Sequence, residues 1–207
     1  MEYLVPVLGG FFLFIHLFFQ FKWWIGLSKV NKRRKKLGKT EVGVSVIVCA
    51  HDEEENLKEL IPLLLAQDYP NFEVIIVDDR SNDGTYDYLL GLKGSTPKLK
   101  MVRVDSSPNH VNGKKYGLTL GIKAAANDIV LLTDADCRPA SDQWVAEMAK
   151  GFSSEKTQFV LGYSPYYTEK GFLNNFIQWE TTITGINYLG SAGVGGAFMG
   201  VGRNLAY

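Results

Sequence analysis

The chain of 207 residues is 46% hydrophobic and carries 22 basic and 22 acidic side chains, enough for one α/β domain with a sizeable core and an additional segment. The zero net charge is unevenly spread: Lys22 and residues 29–39 hold eight of the basic side chains, and beyond Thr40 there are 14 basic against 21 acidic residues. Such an acidic body excludes a nucleic-acid surface, which needs clustered Lys and Arg on the folded domain.

Residues 3–21 contain no Asp, Glu, Lys or Arg and are dominated by Leu, Phe, Val and Ile. As a helix they would cover about 28 Å, close to the thickness of bilayer hydrocarbon. Trp23 and Trp24 then fall at the interface, and Lys22, Lys29, Lys32, Arg33, Arg34, Lys35, Lys36 and Lys39 follow. The positive-inside rule puts that side, and with it the rest of the chain, in the cytoplasm. A cleaved signal peptide is the rival reading. Against it, the basic charge follows the apolar run, Glu2 precedes it, and no Ala-x-Ala-like cleavage site occurs. The expectation is a retained membrane anchor over residues 1–27 and a basic juxtamembrane linker over 28–42. Pro6, Gly9, Gly10, His16 and Gln20 suit packing against other membrane helices.

Beyond the linker, residues 44–49 read as an apolar strand and 54–66 as a helix with Leu57, Leu60, Ile61, Leu64 and Leu65 on one face. A second strand covers 74–77, Asp83 caps a helix running to about Leu92, and 99–104 alternates as a third strand. A helix over 113–126, a strand over 129–133, a helix starting at Ser141 or Asp142 and a strand over 159–163 continue the order. Repeated β-α-β alternation implies right-handed crossovers and a mostly parallel sheet with helices on both faces. From Gly171 the pattern becomes an amphipathic helix with Phe172, Phe176, Trp179 and Ile183, followed by the glycine-rich residues 191–202. That run is either a backbone that approaches a ligand closely or a buried strand flanked by turns.

Two acidic clusters end strands that read as continuous apolar runs: Asp78-Asp79 after the second, and Asp134-Ala135-Asp136 after the fourth. Parallel sheets bind ligands at the carboxyl ends of their strands, so both clusters are candidate site residues. An Asp-x-Asp pair aims both carboxylates the same way and suits Mg²⁺ or Mn²⁺, which prefer hard oxygen ligands. Adjacent Asp78 and Asp79 repel unless a cation or donor lies nearby. Asp52 with Glu55 reads as a helix cap with its reciprocal partner, and Glu53 stays open. His110 lies in a polar loop with no specific role. Cys49 and Cys137, without zinc-like spacing, read as small buried residues near strand ends and exclude a disulfide framework.

The succession Val44-Ser45-Val46-Ile47-Val48-Cys49-Ala50-His51-Asp52-Glu53-Glu54, then Val77-Asp78-Asp79-Arg80-Ser81-Asn82-Asp83-Gly84-Thr85, resembles family 2 glycosyltransferases of the GT-A fold. Gly113-Lys114-Lys115-Tyr116-Gly117 is similar to that family's Gly-Lys helix start, and Thr133-Asp134-Ala135-Asp136 to its metal motif. The resemblance implies an α/β, GT-A-type catalytic domain over 43–207 that transfers a sugar with inversion from a nucleotide diphosphate, with UDP the commonest. The implied acceptor is lipid-linked or a growing glycan at the cytoplasmic membrane face.

By the same resemblance Asp136 is the principal metal ligand, and Asp134 contacts the ribose or shares the metal. Cys49, Ala50, His51, Glu53, Asp78, Asp79, Lys114 and Ala135 form the nucleotide-sugar site, and Gly195, Gly196 and Arg203 flank the acceptor. His51 replaces the family's more usual Tyr, which would make binding pH-sensitive. The family's general base lies in an acidic motif downstream of the glycine-rich segment and is expected beyond Tyr207, as if the chain were a fragment. Two alternatives stand beside this reading. One is a nucleotidyltransferase, disfavoured because the loop after the first strand is acidic where a triphosphate would bind. The other is a membrane-tethered nucleotide-sugar-binding or scaffold domain without activity.

Overall fold

The computed structural model describes residues 3–106, 108 and 113–207; His110 and Glu2 lie outside the described residues. Among the described residues six α-helices and six strands follow in the order α1 (Leu4–Arg34), β1 (Val44–Ala50), α2 (Glu54–Leu65), β2 (Phe72–Asp79), α3 (Thr85–Leu92), β3 (Leu99–Val104), α4 (Gly113–Ala124), β4 (Ile129–Asp134), α5 (Trp144–Ala149), β5 (Val160–Leu161), α6 (Phe172–Gly193) and β6 (Leu205–Ala206). They form two compact units. One comprises the chain up to Leu37 together with Tyr163–Gly200, the other Gly38–Gly162 together with Val201–Tyr207.

The second unit is built on a sheet of order β3-β2-β1-β4-β6-β5. β1 pairs in parallel with β2 and β4, and β2 with β3. Side chains alternate between two covered faces. Val44, Val46, Val48, Val74, Ile76 and Leu131 pack with Leu57, Leu60, Ile61 and Leu64 of α2 on one. Ile47, Ile75, Val77, Val130 and Leu132 pack with Tyr116, Leu118 and Leu120 of α4 on the other. Each such aliphatic side chain contributes about 1.5–3 kcal/mol on burial, so register is firmly set. In that register Cys49 stands beside Val77 and Asp134, and Ala50 beside Asp78. The parallel pairing thus brings the ends of β1, β2 and β4 into one row.

The sheet is mixed, because β6 runs antiparallel to both β4 and β5. Two-residue strands carry no periodicity, so β6 escaped the sequence pattern, and the strand expected over 159–163 contracts to Val160–Leu161. The helix expected from Ser141 or Asp142 begins at Trp144. The segment after α2 holds the residues before Trp144 in a turn: Gln67 donates to the Ser141 carbonyl and accepts the Val145 N–H, while the Asp68 N–H donates to the Asp142 carbonyl.

In the first unit, α1 is long and apolar enough to cross a membrane by length and composition. It runs on through Lys29, Lys32, Arg33 and Arg34, so the first part of the basic stretch is helical, with its cations at the favourable carboxyl end. α1 and α6 meet at glycines. A Cβ on Gly26 would lie only 1.8 Å from the Gly190 carbonyl oxygen, and one on Gly193 2.2 Å from the Gly26 oxygen. Neither reading of the glycine-rich run holds at its start: α6 extends to Gly193, where small residues admit a neighbouring helix backbone. The early half of α6 leaves Phe172, Leu173, Phe176 and Trp179 exposed.

Candidate active site

β4 ends at Asp134, and a tight turn closed by the Cys137 N–H on the Asp134 carbonyl (3.1 Å) presents the next side chains. Lys114, in the first turn of α4, donates to Asp134 Oδ1 at 2.8 Å. That bond outweighs partial burial and raises the lysine pKa, so the ammonium stays charged. Ligand atoms of Asp134, Asp136 and Cys137 all lie within 4.8 Å of one another. The two carboxylates are a fitting donor pair for a hard divalent cation. Cys137 is not: its thiol pKa is raised, first by burial and then by Asp136, which keeps it protonated. Cys49, beside Asp134, is pushed up to about 11, chiefly by burial despite the opposing pull of Lys114, and is inert at neutral pH.

At the end of β2 both Asp78 and Asp79 are buried and lie within the strand rather than after it. Their repulsion is relieved locally. Asp79 Oδ1 accepts from Arg80 Nε at 2.8 Å, and Asp78 Oδ1 accepts from the Ser81 N–H at 3.3 Å. Arg80 adopts φ +59°, and the start of α4 comes close, since a Cβ on Gly113 would stand 2.6 Å from Arg80 Nη2 and 3.0 Å from Asp79 Oδ2.

The loop after β1 is tied to the loop after β2. His51 Nδ1 lies 2.6 Å from the Asp79 carbonyl oxygen; a carbonyl only accepts, so Nδ1 carries a proton. Asp52 corrects its expected role as a helix cap. At φ +55° its carboxylate turns away from α2 and accepts the N–H groups of Asn82 (2.6 Å) and Asp83 (3.4 Å). α2 is capped from across the gap instead, with the Glu53 N–H on Thr85 Oγ1 and the Glu54 N–H on Asp83 Oδ2. Glu55 pairs with Lys58 in place of a reciprocal cap. Glu53 occupies the N-cap position and accepts from Asn56.

A cavity of about 190 Å³ opens here, with Cys49, Lys114, Asp134 and Arg203 among its walls. It is smaller than the roughly 300–1,000 Å³ of a pocket enclosing a whole ligand. Cys49, Lys114, Asp134 and Arg203 are thus brought together, with Ala135 and Asp136 in the adjoining turn and Asp78 and Asp79 one and two strand positions further on. Gly195 (φ +84°) and Gly196 belong to the other compact unit, where the Gly196 N–H donates to the Ser191 carbonyl. Arg138, unremarked in the sequence pattern, places its guanidinium on the backbone of the Asp-Ala-Asp turn.

Residues 45–201 match the profile described as Glycosyl transferase family 2. The chain belongs to that family. A 28% identical relative, 4,4'-diaponeurosporenoate glycosyltransferase of Staphylococcus haemolyticus, aligns over 134 residues, 65% of this chain and 35% of that protein. The UDP-Glc:alpha-D-GlcNAc-diphosphoundecaprenol beta-1,3-glucosyltransferase WfaP of Escherichia coli is 28% identical over 132 residues, 63% of this chain and 48% of that protein. Among solved structures, the mannosyltransferase PcManGT from Pyrobaculum calidifontis in complex with GDP-Man and Mn²⁺ matches with TM-score 0.63 and 19% identity. The match covers 93% of this chain and 53% of that one; at that identity the likeness is one of fold, and it agrees with a GT-A-type α/β sheet. This chain spans only about a third of the length of the first curated relatives it matches.

Proposed function

We propose that this chain is the donor-binding portion of an inverting, membrane-anchored glycosyltransferase that takes a sugar from a nucleotide diphosphate, a UDP-sugar in the first instance. The acceptor is lipid-linked or a glycan, at the cytoplasmic face. The observation that carries the reading is the pairing of Lys114 with the Asp134-Ala135-Asp136 turn at the strand ends, where cationic and anionic groups for a diphosphate and its metal converge. The name of the WfaP relative, which states a UDP-glucose donor and a diphosphoundecaprenol acceptor, supports the donor and acceptor classes. The apolar length of α1 and the basic residues at its end support the anchor and its orientation.

Asp136 and Asp134 would hold Mg²⁺ or Mn²⁺, which supplies Lewis-acid stabilisation to a departing diphosphate. Lys114 exchanges its bond to Asp134 for the diphosphate oxygens, adding a charge-assisted donor where negative charge develops. Asp79, with one oxygen held by Arg80, and buried Asp78 offer acceptors to the base, and His51 offers its ring face. Gly195, Gly196 and Arg203 remain the proposed acceptor-side residues. Calorimetric titration in detergent with UDP, GDP, ADP and dTDP, with and without Mn²⁺, tests the proposal. It expects one nucleotide to bind with metal-dependent affinity; binding of none would refute a donor site in this chain.

A further inference from the structure

Arg138 follows the Asp-Ala-Asp-Cys sequence directly, and its guanidinium is nearly enclosed, with 14% of the side chain accessible. All five of its N–H donors are engaged. Nη1 donates to the carbonyls of Ala135 (3.0 Å) and Cys137 (2.9 Å). Nη2 donates to Asn56 Oδ1 (3.0 Å) and Glu59 Oε2 (2.8 Å), and Nε reaches the same Glu59 oxygen at 3.2 Å. The two carbonyls belong to the residues on either side of Asp136. One edge of the guanidinium therefore fixes the backbone on both sides of the exposed carboxylate, and the other anchors it to the first turns of α2.

The anchor is itself braced. Asn56 donates to Glu53 at 2.6 Å, and the Glu53 N–H donates to Thr85 Oγ1 at 3.0 Å. A continuous chain of hydrogen bonds thus runs from the turn after β4, through α2 and the loop after β1, to the start of α3 behind the Asp78-Asp79 loop. We infer that Arg138 is a positioning residue: it sets the orientation of Asp136 for the metal and ties that turn to the two loops proposed to hold the base. The inference rests on the proposed metal site but concerns a residue outside it. Arg138 bonds to the protein and not to the proposed metal; it acts on the geometry of a proposed metal ligand.

Lysine cannot replace it. An ammonium has three donors and no planar fork, so it cannot bond both carbonyls and Glu59 at once. Loss of the partner that orients a metal ligand typically lowers metal affinity or activity about 10–100-fold. Glu59 is 74% accessible, so Glu59→Gln should act in the same direction with smaller effect and guards against a misfolded Arg138 variant.

The test uses the whole chain in detergent. Mn²⁺ affinity in the presence of UDP, and amide exchange of residues 134–137 without metal, are measured for wild type, Arg138→Lys and Glu59→Gln, with thermal melting as a control for folding. The expected result is a 10–100-fold weaker Mn²⁺ affinity in Arg138→Lys, faster exchange of the Cys137 amide and little change in melting temperature. Unchanged Mn²⁺ affinity in folded Arg138→Lys would overturn the inference. Should the wild-type chain bind no Mn²⁺, the metal reading fails separately, and the exchange measurement still decides whether Arg138 holds the turn: equal exchange in all three proteins overturns it.

Discussion

α4 approaches the sheet through two glycines one turn apart, and alanine at each is expected to have opposite effects. At Gly117 a Cβ would lie 3.5 Å from Val77 Cγ1 and 3.7 Å from Cys49 Sγ, ordinary contact distances. At Gly121 it would lie 2.7 Å from Ile47 Cγ2 and 3.0 Å from Val77 Cγ2, inside the roughly 3.5–4.0 Å at which carbon atoms attract. Both Ile47 and Val77 are fully buried, branched and held in central strands, so they have little room to yield. Gly117→Ala should therefore gain most of the helix-propensity difference, about 0.5–1 kcal/mol. Gly121→Ala gains the same but meets overpacking strain of about 1–3 kcal/mol, for a net loss of up to about 2.5 kcal/mol. At about 2–4 °C per kcal/mol for a chain of this size, the two variants should separate by several degrees on opposite sides of wild type in thermal melting. Gly121→Ala should also weaken nucleotide binding, because lifting α4 draws Lys114 away from Asp134. Shifts of the same sign for both variants would refute the close-approach argument.

Glu73, nearly buried near the amino ends of the strands, accepts from Ser45 Oγ (2.7 Å) and the Ala126 N–H (2.6 Å) and pairs with Lys100 at 2.5 Å. Burial alone would raise its pKa, but Lys100, Ala126 and Ser45 together hold it below the ordinary 4.5. A carboxylate so depressed stabilises the fold above its unfolded pKa and loses that contribution as pH falls through the folded one. Glu73→Gln should cost about 1.5–3 kcal/mol at pH 7 and show a flatter decline in melting temperature below pH 4.5 than wild type; parallel declines would contradict this. In the helix pair, Gly26→Ala should lower the melting temperature of the helical signal in detergent, whereas Gly10→Ala, with nothing within 4 Å of its Cβ, should not; equal behaviour would remove the glycine seam. Asp79→Ala should weaken UDP binding with and without Mn²⁺, and unaltered affinity would take Asp79 out of the base pocket.

In the parallel half of the sheet β1, β2 and β4 were legible because they are buried and so read as apolar runs, and β3, at the sheet edge and only partly buried, because it alternates. β3 fell at the expected residues, and β1, β2 and β4 within two residues at either end. The antiparallel edge was not, because β5 and β6 are two residues each and depend on tertiary pairing. Asp52 shows a second limit. Its spacing to Glu55 fits a local cap, yet its carboxylate is spent on backbone 30 residues away, a choice that only the parallel register of β1 and β2 can dictate. The Asp-x-Asp turn was visible in the sequence, but Arg138 was not, since its partners Asn56 and Glu59 lie about 80 positions earlier. Two of its bonds go to carbonyls that every residue possesses, so its side chain announces no motif.

The measurement that tests the central claim most directly is UDP binding by the wild-type chain and by Asp136→Asn, each with and without Mn²⁺, with circular dichroism to confirm the fold. Asp136 is exposed at a strand end and contributes nothing to the core, so the variant should fold normally. The account predicts that Mn²⁺ strengthens UDP binding to the wild type and that this gain disappears in Asp136→Asn while metal-free binding remains. An equal gain from Mn²⁺ in the folded variant would contradict the assignment of Asp136 to the metal and, with it, the proposed donor site.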